Sequence, residues 1–196
     1  MSYRVERIAE HTKKLLEILA EEYGLDLEDE NFKGTPERVG RMYEEIFAGL
    51  GDTEKKVEEI LDKAFPCSYS QIVLARNVRA YSVCPHHLLP VEYDIDVAYI
   101  PEPGGKVLGI SKLSRLAVLL ARRPVLQEQL TEDITDALMR IQGASGAACI
   151  VRGRHFCMIM RGVKQYNSVT VTSSMKGVFM EDPATRNELM NLLKVT

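Results

Sequence analysis

Residues 91–100 constrain the fold most. There Val91, Tyr93, Ile95, Val97 and Tyr99 alternate with Glu92, Asp94, Asp96 and Ala98. Alternation at a period of two marks a strand, because successive side chains point to opposite faces. One face is apolar and the other acidic, so the strand belongs in an antiparallel sheet with one face covered. The turn sequence Pro101-Glu102-Pro103-Gly104-Gly105 follows it. Residues 71–75 and 78–83 are enriched in β-branched side chains and predict further strands, as do residues 146–161 and 167–175. Two helices are expected over 111–122 and 124–141, separated where Pro124 removes a backbone donor, and a last helix closes the chain over 183–194.

The first 64 residues have a different period. Val5, Ile8, Leu15, Leu19 and Tyr23 recur at three-, four- and seven-residue spacings, which predicts an amphipathic helix. In Gly34-Thr35-Pro36-Glu37-Arg38, Thr35 is suited to cap a second helix and Pro36 to occupy its first position. Its apolar stripe runs through Val39, Met42, Tyr43, Ile46, Phe47 and Leu50 to Gly51, and a third short helix carries Val57, Ile60, Leu61 and Ala64. The chain therefore reads as α+β, with a helical N-terminal region over 1–66 and a sheet-containing domain over 67–196.

Composition narrows the function classes. Of 196 residues, 45% are hydrophobic and 27% charged, enough apolar surface for a packed core rather than a disordered tail. The formal net charge of -3 offers no global attraction to nucleic acid or to an anionic membrane, so an anionic ligand must be held by a local basic cluster. No apolar run approaches the roughly 18 residues of a spanning helix, and residues 1–10 lack the apolar core of a signal peptide. Four cysteines in a chain of this length do not form a disulfide framework, which points to a reducing cytoplasm where thiols stay free.

The densest chemistry is Cys84-Pro85-His86-His87. Cys84 and His87 have the Cys-x-x-His spacing that brings two donors to one ion from a turn, and zinc accepts both donor types. A third donor is offered by Cys157 in Arg154-His155-Phe156-Cys157-Met158-Ile159-Met160-Arg161. If that segment is a strand, His155, Cys157 and Arg161 share a face. Three protein donors leave the fourth position of a catalytic zinc open. Cys67 and Cys149 read as small core hydrophobes and His11 as a surface residue. Ser111, Lys112 and Arg115 open a helix, whose free N–H groups and dipole favour anions, although a solvated helix face has the same composition. Gln127-Glu128 stands at the start of the next helix.

Together, Tyr81 to Pro90, Val97 to Pro101, Gly109 to Leu113, Ala121 to Pro124 with Gln127-Glu128, and His155 to Val163 resemble GTP cyclohydrolase I. The likeness extends through Thr35 to Val39 and Val171 to Ser173 as far as Gly177-Val178-Phe179, nearly the whole chain in order. The resemblance implies a tunnelling (T-) fold, an antiparallel sheet with two helices on one side plus a helical N-terminal part. It further implies a homodecamer of two stacked pentamers with active sites between subunits. The activity implied is zinc-dependent opening of the guanine imidazole ring of GTP, with release of formate and rearrangement to 7,8-dihydroneopterin triphosphate. Under it, Cys84, His87 and Cys157 match the zinc ligands, and His86 and His155 the catalytic histidines. Glu128, with Gln127 beside it, matches the guanine anchor. Ser111, Lys112, Arg115 and Arg161 match triphosphate and ribose contacts, and Arg38 a further phosphate contact. No nucleic-acid or membrane partner is implied.

Three positions depart from the family pattern. Pro85 stands where a glutamate is usual, Val91-Glu92-Tyr93-Asp94 replaces an aromatic residue and a glycine after Pro90, and Gln129 replaces an arginine. Pro85 keeps the ligand spacing but removes a carboxylate and an N–H. A family member that stops at ring opening or acts on a related purine nucleotide, and a non-catalytic nucleotide-binding ring protein, therefore stand as alternatives.

Overall fold

The computed structural model describes residues 2–195, which form two compact units divided between Ala48 and Gly49. In the first, α1 (Tyr3–Tyr23) is capped by Ser2, whose hydroxyl accepts from the Val5 N–H, and ends at Gly24 in the left-handed region at φ 70°. A left-handed residue closing a helix is most cheaply glycine. It packs on α2 (Thr35–Ile46), with Val5 under Gly40 so closely that a Cβ there would stand 2.7 Å from the Val5 carbonyl. The cap of α2 lies one residue earlier than expected, at Gly34. Of the stripe expected on α1 only Val5 is buried, joined by Ala9, whereas Leu15 and Tyr23 are exposed, because α2 is the one helix packed against α1 within this unit.

The second unit begins with α3 (Thr53–Leu61) and β1 (Ala64–Pro66), so Ala64 is in a strand rather than at the end of the third helix. The sequence boundary near 66 falls inside this unit, because α3 packs on α4 (Ile110–Ala121) and β1 pairs with β4 (Lys106–Leu108). The main sheet is antiparallel, in the order β2 (Val73–Val83), β3 (Pro90–Pro101), β5 (Ala144–His155), β6 (Thr170–Gly177). The two strands expected before residue 84 are one, with its register shift between Ala75 and Val78. There Asn77 adopts φ 53° and its N–H reaches Asp96 Oδ1 at 2.9 Å.

Helices α4 and α5 (Gln127–Met139) cover one face of the sheet, and Tyr93, Ile95, Leu116, Leu130 and Ile134 lie in that core without solvent exposure. The α+β reading, an antiparallel sheet with two helices on one side, is what the structure shows. The other face is less open than its acidic residues imply. Asp96 is 3% exposed and paired with Arg152 at 2.6 Å, while Arg79 and Arg154 neutralise Asp94 and Glu92. Ala98 lies beneath Phe179 of the short α7 (Val178–Glu181) and Leu189 of α8 (Pro183–Leu192). No helix among the described residues is long and apolar enough to cross a membrane.

The helix-on-sheet core carries most of the buried apolar surface. Ile134→Ala removes a fully buried side chain between α5 and the sheet. By the usual cost of such cavities, about 2–5 kcal/mol, the melting temperature should fall by roughly 5–20 °C in a scanning-calorimetry measurement.

Candidate active site

The site forms where β2 turns back into β3. Cys84 N–H donates to the Leu89 carbonyl at 2.8 Å, and the Cys84 carbonyl accepts from Leu88 at 2.8 Å and more weakly from His87 at 3.4 Å. Pro85 is the second residue of this turn, where its fixed φ is already suitable and its missing N–H goes unneeded. Leu88 closes the loop at φ 53°, a conformation an L-residue adopts at some cost.

His155 ends β5 opposite Val91, the second residue of β3. Beyond that point β3 offers no further partner, so the expected strand over 146–161 stops. Residues 156–159 instead form a helical turn, α6 (Phe156–Ile159), which carries Cys157. The expectation that His155, Cys157 and Arg161 share one strand face is therefore corrected: the turn, not the pleat, aims Cys157. It nevertheless brings the thiol to the loop. The donor atoms of Cys84, His87 and Cys157 lie within 4.8 Å of one another, with Cys84 Sγ 3.7 Å from His87 Nδ1. This cluster can hold a metal ion. Burial, and then the neighbouring Cys84 thiol, push the Cys157 thiol above its ordinary pKa. Arg161 donates to His87 Nε2 at 2.7 Å. A guanidinium only donates, so Nε2 accepts and Nδ1 bears the ring proton. Ligation through Nδ1 needs that nitrogen's lone pair, so the ring proton moves to Nε2 and the Arg161 guanidinium is released from His87 when a metal binds.

Beside the cluster lies a pocket of about 250 Å³, lined among others by Cys84, Pro85, His86, Gln127, Glu128, His155 and Cys157. Glu128 is exposed on the first turn of α5. Gln127, expected beside it at the ligand, is only 2% exposed. Its amide nitrogen donates to the carbonyls of Val151 and Thr170, both at 3.0 Å, and to Thr172 Oγ1 at 3.2 Å. Carbonyls only accept, so the amide oxygen must face His155, 2.8 Å from its Nε2. His155 is thereby a donor through Nε2, and Nδ1 is left as its free nitrogen. Burial lowers the His155 pKa, and Glu128 opposes the shift, so the ring favours its neutral form.

Two supporting residues escaped the sequence reading. Gly153 lies beneath the Gln127–His155 pair, and a Cβ there would stand 2.1 Å from Gln127 Oε1 and 3.0 Å from His155 Nε2. A glycine inside a strand pattern is itself the signal of such a close approach. Tyr93 meets the His155 ring edge-on, centroids 6.1 Å apart, and read only as a core residue.

The expected anion contacts divide. Arg161 is at the site. Ser111, Lys112 and Arg115 line no part of the pocket. They occupy the first two turns of α4, whose opposite end leads into the Arg123–Pro124 segment that bonds Ser82 and Val83 beside Cys84. At helical rise, Lys112 stands about 14 Å from that end. Arg38, in the first unit, donates to the carbonyls of Lys33 and Asn31 at 2.8 and 3.0 Å and to Thr35 Oγ1 at 2.7 Å.

The family model for GTP cyclohydrolase I matches residues 8–194. The chain belongs to the GTP cyclohydrolase I family. It is 44% identical over 182 residues to GTP cyclohydrolase 1 of Pelotomaculum thermopropionicum, covering 93% of this chain and 95% of that one. Identity to GTP cyclohydrolase 1 of Thermoanaerobacter pseudethanolicus is 42% over 184 residues, covering 94% and 96%. For Clostridium perfringens GTP cyclohydrolase 1 it is 39% over 190 residues, covering 97% and 98%. Among solved structures, archaeosine synthase QueF-Like in the apo form is 20% identical with a TM-score of 0.43, over 55% of this chain and 94% of that one.

The cluster's composition has a direct check. Cys157→Ser should abolish stoichiometric metal retention measured by elemental analysis, whereas Cys67→Ser, whose sulfur accepts from the Tyr69 N–H outside the cluster, should retain it.

Proposed function

We propose that the chain is a GTP cyclohydrolase I. It hydrolyses the guanine imidazole ring of GTP, releases formate and yields 7,8-dihydroneopterin triphosphate. The observation that carries this reading is that Cys84 and Cys157, which cluster with His87, line one pocket with His86, His155 and Glu128, in a chain of this family. In the overall balance two waters are consumed, at C8 and at the formamide carbon, and one is returned when the pterin ring closes.

Cys84, His87 and Cys157 would hold zinc. Their soft donor set suits that ion, and a tetrahedral site with zinc–sulfur and zinc–nitrogen bonds of normal length has sulfur and nitrogen about 3.6 Å apart, close to the 3.7 Å between Cys84 Sγ and His87 Nδ1. Zinc, when bound, lowers the pKa of its water towards neutrality and polarises the group it meets.

The remaining chemistry belongs to the chain. Glu128 accepts from the guanine N1–H and amino group, a donor pair that adenine lacks, and an unpaired carboxylate would reject the wrong base. His86, exposed at the pocket rim, donates a proton to N7, which makes C8 electrophilic. His155, held through Nε2 by Gln127, presents Nδ1 to move protons during formate release and the ribose rearrangement. Arg161 offers its guanidinium to the triphosphate.

Ser111, Lys112 and Arg115 lie at the wrong end of α4 to serve the same chain's pocket, which supports their delivery to a neighbouring copy's site. The reading therefore includes a homo-oligomer, a decamer of two pentamers with active sites at subunit interfaces, in which Arg38 also contacts phosphate. A reducing cytoplasm keeps Cys84 and Cys157, both free thiols, available as ligands.

Incubation of zinc-loaded protein with GTP should give one formate per GTP and, after oxidation, a fluorescent pterin. His155→Ala should lower kcat by about 10²–10⁴-fold, the usual weight of a general acid–base. A product whose mass retains the formyl carbon would mean arrest at ring opening. Tight GTP binding with no product would mean a binding protein, and either result overturns the proposal.

A further inference from the structure

Two walls of the pocket come from distant parts of the chain. One is the loop after β2, with Cys84, Pro85 and His86, and the other is residues 125–128, which lead into α5. The Glu128 carboxylate makes no hydrogen bond or ion pair among the described residues. Its aim is therefore set by the backbone that carries it, and that backbone follows the short connection 122–126 between α4 and α5.

This connection is tied from both sides. Towards the sheet, Ser82 stands two residues before Cys84 and donates its hydroxyl to the Arg123 carbonyl at 2.8 Å. Ser82 is only 5% exposed, so its one hydrogen is committed to that carbonyl rather than shared with water. Val83 forms a parallel bridge with Pro124 beside it. Two points of attachment fix an orientation that a single one leaves free to pivot. From behind, the Arg123 side chain donates through Nε to the Leu120 carbonyl at 2.9 Å, which closes the last turn of α4, and through Nη2 to Asp133 of α5. Arg123 and Asp133 are both largely buried, where an ion pair is little screened and a charge-assisted bond holds firmly. A continuous set of contacts thus runs from α5 through Asp133, Arg123 and Ser82 to the root of the Cys84 loop.

We propose that Ser82 is a positioning residue. Through the Arg123 carbonyl, and braced by Asp133, it holds the Glu128 wall at a fixed offset from the Cys84 loop and so sets how guanine sits against His86. This rests on the hydrolysis of GTP proposed above, and it adds two side chains, Ser82 and Asp133, that line no part of the pocket. Guanine offers Glu128 its N1–H and its amino group, whereas the base of inosine triphosphate offers the N1–H alone. A wall held in place discriminates by the amino group, and a wall that pivots discriminates less.

Full-length wild-type protein, Ser82→Ala, Asp133→Ala and the double variant are loaded with zinc and assayed for formate release from GTP and from inosine triphosphate. A displacement of about 1 Å can cost about 10²-fold, and Ser82→Ala should lose about 10–100-fold in kcat/KM for GTP. Its preference for GTP over inosine triphosphate should narrow by about 2–10-fold, the worth of one hydrogen bond. Asp133→Ala should shift both quantities in the same direction. The double variant should fall no further than about the worse single one, because both act through the same contacts. Zinc content by elemental analysis should match wild type in all three variants, since no ligand is touched. A purely structural loss would lower both substrates alike, so an unchanged preference in Ser82→Ala overturns the proposal. Losses that add in the double variant, or zinc lost from Ser82→Ala, overturn it too. Wild-type protein that releases no formate from GTP overturns the proposed function itself, a failure visible before any variant is compared.

Discussion

The register of β3 between its two neighbours governs the site. Val83 lies opposite Pro90 on one side and His155 opposite Val91 on the other, so the loop carrying Cys84 and His87 and the turn carrying Cys157 leave the sheet at the same end. A shift of one residue in either pairing would turn the apolar row of β3 away from α4 and α5 and separate Cys84 and His87 from Cys157. Burial of Tyr93, Ile95, Val97 and Tyr99 thus does two jobs: it drives the fold and aligns donors more than 70 residues apart in the chain.

Beneath the pocket, polar groups are arranged with little slack. Gln127 uses its amide nitrogen on β5 and β6 and its amide oxygen on His155, which ties the start of α5 to the end of β5. Thr131 and Thr172 bond to each other at 2.6 Å in the same layer. Fully satisfied networks of this kind specify one arrangement, because every alternative leaves a buried polar group unpaired. Gly153 provides the clearance for that layer, and Tyr93 occupies part of the same clearance.

Much of this was legible in the sequence. The alternation over 91–100 marked the central strand and its covered face, and the Cys-x-x-His spacing with Cys157 marked the three side chains that the structure brings together. What failed were features set by pairing rather than by pattern. The strand through Cys157 ended early because its partner begins at Pro90, and a helical turn took its place. Asp96 looked like a solvent residue but is buried by Arg152, a partner 56 residues away that no local period announces. Gln127, which the resemblance implies beside Glu128 at the ligand, lines the pocket with it but spends its amide on β5, β6 and His155, a role within the fold that no local pattern announces.

The account stands on two sulfurs and one imidazole sharing a single ion that keeps room for a non-protein ligand. X-ray absorption at the zinc edge of the loaded protein tests this most directly. The predicted shell has two sulfurs near about 2.3 Å and two nitrogen or oxygen neighbours near about 2.0 Å. A shell of four sulfurs, or one with no sulfur, would contradict it.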